Sequence, residues 1–122
     1  MTNNQTDKGQ GGEPIDIENC TRMFNGQRDV VLKLVGDLLQ LFDKQKKTIL
    51  EALAERDPEK LRREAHSVKG GAAVLSAGPL LAAATVLEEI GRSGNLSGVE
   101  GAFSRLEEEA TRLAAYYASL ER

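Results

Sequence analysis

Apolar residues in this chain recur at steps of three and four over long runs, and the runs are broken only by short segments rich in Gly, Pro, Asn and Asp. That period is the signature of helices with one buried face, and no stretch alternates as a strand would. Val31, Leu34, Val35, Leu38, Leu41, Phe42, Ile49 and Leu53 mark one long amphipathic helix from about Gln27 to Glu55. Leu61, Ala65, Val68, Ala72 and Leu75 mark a second, from about Pro58 to Leu75. Asp57 supplies its N-cap, Pro58 fills the first helical position, and Glu59 lies near the positive helix end. Gly78-Pro79 restarts the chain into a third helix bearing Leu80, Ala84, Leu87 and Ile90, with Gly91 and Gly94-Asn95 as its end signals. Ser97 and Glu100 have capping-box spacing before a fourth, on which Val99, Phe103, Leu106, Ala110, Leu113, Tyr117 and Leu120 share a face.

A shorter helix is expected from Asp16 to Phe24, where Ile17, Cys20 and Phe24 share a side and Asn25-Gly26 ends the run. Four long helices joined by short turns require antiparallel neighbours. The expected fold is therefore all-α, an antiparallel up-down four-helix bundle with a short additional N-terminal helix. Residues 1–13 are polar and glycine-rich and read as a flexible tail, and 14–122 as the folded domain. The stripe on the last helix is needed to close a monomer core, so a monomer is expected in place of a dimerising coiled coil. The Glu107-Glu108-Glu109 run reads as a solvated face.

Composition narrows the function. A chain of 122 residues holds one domain and has no room for a nucleotide-binding domain beside the bundle. Its net charge of −3 offers no general attraction to nucleic acid or anionic membrane. Cys20 has no partner in the chain, and no apolar run approaches the ~18 residues of a membrane span, so a cytoplasmic setting is expected. No phosphate-binding glycine loop or kinase motif is present, and one histidine cannot build a di-iron helical bundle.

That one histidine, His66, is the candidate working residue. It follows Ala65 of the apolar stripe and is rotated about 100° from it, which sets the imidazole at the edge of the buried face. Arg62, Lys69, Gly70 and Ala73 stand at −4, +3, +4 and +7 from it and share its side of the helix. Two cations favour an anion such as a phosphoryl group, and two nearly absent side chains leave room for another protein's surface. Successive glycines inside a helix, Gly70 and Gly71, cost about 0.5 to 1 kcal/mol each relative to alanine, so some gain in packing or access is expected to offset them.

The string Ala65-His66-Ser67-Val68-Lys69-Gly70-Gly71-Ala72-Ala73, followed in register by Leu80, Ala84, Leu87 and Glu88, resembles the signature of histidine-containing phosphotransfer (HPt) domains of two-component phosphorelays. Two positions depart from it: Ser76 stands where the family usually has glycine, and Val74 where a polar residue is common. The resemblance implies a phosphocarrier and not an enzyme with its own ATP-dependent kinase activity. His66 would be the phosphoacceptor, through Nε2. Lys69 would support the phosphoryl charge, Gly70 would leave the partner access, and Arg62 and Ala73 would line the docking face.

The implied partners are the receiver domains of response regulators or hybrid kinases, together with a sensor histidine kinase. No cofactor of its own is expected, and Mg²⁺ belongs on the partner receiver domain. If the first long helix folds back at Arg56 and Asp57, then Lys44, Gln45 or Lys47 comes near the ring. Two further readings share the residues: a receiver-binding module without phosphotransfer, and an excised phosphoacceptor domain of a chemotaxis-type kinase.

Overall fold

The computed structural model describes residues 13–120, and nearly all of the tail expected over 1–13 lies outside the described residues. Five helices follow in order: α1 (Ile17–Met23), α2 (Arg28–Glu55), α3 (Pro58–Val74), α4 (Gly78–Ser93) and α5 (Val99–Leu120). Among the described residues there is no strand.

Local chemistry accounts for most of the boundaries. Asp16 Oδ1 accepts from the Asn19 amide at 3.0 Å to start α1, and Asp57 Oδ1 accepts from Lys60 at 3.1 Å to start α3 with Pro58 behind it. Arg56 turns the chain between α2 and α3 in the left-handed region, at φ 54°, and its amide closes on the carbonyls of Ala52 and Leu53. Ser76 has φ 57° just past the end of α3, so this chain bends with serine where a glycine would be unstrained.

Gly94 ends its helix as expected, while Gly91 and Ser97 do not act as the end signals read from sequence. Helix α4 runs through Gly91 and ends at Gly94, whose φ of 78° makes it the left-handed cap. Ser97 is not the residue that caps α5. Gly98, at φ 79°, immediately precedes Val99, and the Ser97 amide instead donates to Asn95 Oδ1 at 3.0 Å.

The faces predicted for the long helices pack together. Helix α3 lies chiefly against α4, α2 touches both α3 and α5, and α5 also packs on α4. Leu61, Ala65, Val68, Ala72 and Leu75 are all buried, with Leu80, Ala84 and Leu87 opposite and Phe103, Leu106 and Leu113 from α5. Burial of each Leu or Phe contributes roughly 1.5 to 3 kcal/mol relative to exposure, so this shared core carries the fold. Helix α1 packs on α2 with Cys20 fully buried, and it is tied to the α3–α4 turn: the Asp16 amide donates to the Ser76 carbonyl, and Asn19 Nδ2 to Ser76 Oγ, at 3.1 and 3.0 Å.

Three side chains differ from the stripe reading. Leu41 is exposed, and the buried position one turn further along α2 is held by Gln45. Glu109 is buried, not solvated. It pairs with Arg105 at 2.9 Å and Arg112 at 2.6 Å on its own helix, which offsets the cost of burying its charge. None of the described helices is long and apolar enough to cross a membrane.

Candidate functional site

His66 projects from the middle of α3 with 62% of its side chain exposed, at the edge of the buried stripe as its phase requires. The ring is nevertheless held. Its Nδ1 lies 2.7 Å from Oε2 of Glu88, which stands on the facing side of α4 and is only 1% exposed. Lys69 Nζ meets the other oxygen of the same carboxylate at 2.5 Å, and Arg92 Nη2 reaches Oε2 at 3.3 Å while its Nη1 bonds Glu89 at 2.7 Å.

Glu88 is on the buried face because it continues the Leu80–Ala84 row by one more turn. A carboxylate there is costly unless paired. Hydrogen bonds from Lys69 and then His66 outweigh that burial and draw its pKa down to about 2. An ionised carboxylate only accepts hydrogen bonds, so the Nδ1 facing it carries a proton. In the neutral ring the lone pair is then on Nε2, on the exposed side.

The other expected residues divide. Gly70 and Ala73 are exposed beside the ring, and a Cβ added to Gly70 would meet nothing within 4 Å. Gly71, by contrast, lies against Leu38, whose Cδ1 would be 2.8 Å from an added Cβ. The first glycine of the pair thus leaves open surface and the second gives close packing. Arg62 is on the histidine side of α3, but its guanidinium is engaged by Glu59, Nε to Oε1 at 2.9 Å and Nη2 to Oε2 at 2.6 Å. From α2 it is Gln45 that comes near: its Nε2 donates to Ser67 Oγ at 3.0 Å, next to His66 in the chain and not to the ring itself.

Two residues of the cluster, Glu88 and Arg92, were not assigned to the ring by sequence reasoning. Glu88 was legible as a charged residue one turn after Ala84 on an apolar face. Arg92 was legible only as its partner four residues on.

An exposed, oriented imidazole with a cation one helical turn away, carried on an all-helical domain, is an arrangement suited to taking up a phosphoryl group. The Hpt domain family matches residues 33–116, and the chain belongs to that family. It is a histidine phosphocarrier of phosphorelay signalling. Its fold is similar to the crystal structure of histidine-containing phosphotransfer protein B (HptB) from Pseudomonas aeruginosa PAO1, with a TM-score of 0.79 and 23% identity over 87% of this chain and 92% of that one. No curated protein matches the chain.

Proposed function

We propose that His66 Nε2 accepts a phosphoryl group from the phosphoaspartate of a receiver domain and returns it to another. The observation that carries this is the exposed ring whose Nδ1 is held by buried Glu88. The Nε2 lone pair forms the N–P bond as the acyl phosphate P–O bond breaks and the aspartate carboxylate leaves. Nδ1 keeps its proton, so the phosphorylated ring gains positive character, and the Glu88 carboxylate beside it lowers the energy of that charge.

Lys69, at Glu88 and one turn from the ring, turns its remaining N–H groups to the phosphoryl oxygens. Gly70 and Ala73 leave the approach clear, and Arg62 adds long-range attraction. The receiver domains belong to response regulators or hybrid kinases, loaded by a sensor histidine kinase, and they bring the Mg²⁺ that aligns the transfer. The carrier works as a cytoplasmic monomer and does not use ATP itself. Short α2–α3 and α3–α4 turns and the mutual contacts of α2 to α5 support an antiparallel up-down arrangement of these four helices, with α1 as an accessory.

The test is incubation with phosphorylated receiver domains, following label onto wild type and His66→Gln. Label on wild type alone supports the proposal. Label on both moves the acceptor elsewhere, and binding without label on either leaves only a docking module.

A further inference from the structure

Gly91 occupies the place where α4 comes closest to α3. A Cβ on it would lie 2.7 Å from the Arg62 amide nitrogen, 2.8 Å from the Pro58 carbonyl oxygen and 2.9 Å from Arg62 Cα. All three atoms are backbone of α3, so no side chain can rotate away and the helices would have to part. The other described helical glycines differ: Gly70, Gly78 and Gly101 would meet nothing within 4 Å, and Gly36 and Gly71 would meet only side chains.

The position of this contact matters because of what lies one turn away. Glu88 is three residues before Gly91 on α4, and His66 is four residues after Arg62 on α3. One helical turn is about 5.4 Å, and helices packed this closely shift as rods, so a separation at Gly91 is passed on to the His66–Glu88 bond. That bond is 2.7 Å long, and a few tenths of an ångström takes it out of the strong range.

We infer that Gly91 is a positioning residue for the phosphoacceptor: by letting α4 seat against the α3 backbone, it holds Glu88 within reach of His66 Nδ1 and so fixes which ring nitrogen presents the lone pair. The inference rests on His66 being the phosphoacceptor.

The experiment is Gly91→Ala, with Gly101→Ala as the control for a helical glycine remote from any contact. Because His66 is the only histidine, its ring ¹⁵N signals report the tautomer without ambiguity. Wild type and Gly101→Ala should hold the proton on Nδ1. Gly91→Ala should lose that preference and accept label from acetyl phosphate at least about tenfold more slowly. Glu88→Asp, which withdraws the carboxylate by one methylene, should give the same signature, and the double variant should be no worse than the more severe single one.

A Gly91→Ala protein that keeps both the tautomer and the rate overturns the inference, as does one that loses rate with the tautomer intact. If that variant does not fold, wild type still decides: a nuclear Overhauser contact between Gly91 Hα and the Arg62 amide proton supports the close seating, and its absence overturns it. Label retained by His66→Gln would instead sink the phosphoacceptor assignment, whatever Gly91→Ala does.

Discussion

Glu88 Oε2 stands 2.7 Å from His66 Nδ1, yet the carboxylate is almost wholly buried and the ring mostly exposed. The bond therefore crosses the boundary between core and solvent. Its inner end is fixed by helix packing and by Lys69, and its outer end belongs to a ring that is largely open to solvent. A histidine held in this way combines access with orientation, which a freely rotating surface imidazole lacks.

Replacing Glu88 by glutamine separates orientation from charge. The amide oxygen can still accept from Nδ1–H, so the tautomer should persist, but the anion that offsets the charge of the phosphorylated ring is gone. Labelling by acetyl phosphate should slow by roughly ten- to a hundredfold, comparable with the loss of a carboxylate behind a metal-binding histidine. Single-turnover labelling against ring ¹⁵N spectra checks both halves; an unchanged rate would remove Glu88 from the chemistry.

Acid should expose the same carboxylate as a stability determinant. Its pKa falls from an ordinary 4.5 to about 2 on folding, through Lys69 first and His66 second. Between those values the unfolded chain binds the extra proton, so lowering the pH favours unfolding. The stabilisation is fully present above about pH 5.5 and is lost as the pH falls toward about 2. Urea unfolding from pH 7 to 2 should show a steeper loss in wild type than in Glu88→Gln, and parallel curves would refute the assignment.

Gly70→Gln should separate docking from chemistry. Open space surrounds the position, and glutamine is the better helix former, so stability should hold or rise by about 0.5 kcal/mol. The longer side chain projects beside His66, where a receiver domain must approach. Transfer from a phosphorylated receiver should slow far more than labelling by acetyl phosphate. Equal slowing would mean that Gly70 acts through the histidine and not through the partner.

The sequence made the helices and the phase of His66 legible because both follow from period alone. What it left unread has a common cause. Glu88 and Gln45 occupy core positions in polar form, and a stripe traced through Leu, Val and Ala passes over them. Gly91 was read as a helix end because glycine is a common terminator, whereas its use here depends on the α3 backbone that faces it. Arg62 shares the histidine's side as spacing required, but spacing does not tell which carboxylate a guanidinium will choose, and Glu59 three residues back is nearest.

Gln45 tests the cost of a polar residue in that core. Its Nε2 donates to Ser67 Oγ at 3.0 Å, while its Oε1 is buried without a hydrogen-bond partner among the described residues. An unmet carbonyl costs about 1 to 3 kcal/mol, against about 1 kcal/mol contributed by a typical hydrogen bond. Gln45→Leu keeps much of the volume and removes the unmet acceptor, and Ser67 is exposed, so its hydroxyl can turn to water. The variant should be as stable as wild type or more stable by up to about 2 kcal/mol, whereas Gln45→Ala, which leaves a cavity, should be less stable. Label acceptance by His66 should persist in Gln45→Leu, because the hydrogen bond of Gln45 goes to Ser67 and that of the ring to Glu88. Urea midpoints and labelling rates decide: a Gln45→Leu protein that folds stably but loses acceptance would make the Gln45–Ser67 bond part of the histidine's positioning, and one that unfolds early would mean that the bond contributes more than the buried carbonyl costs.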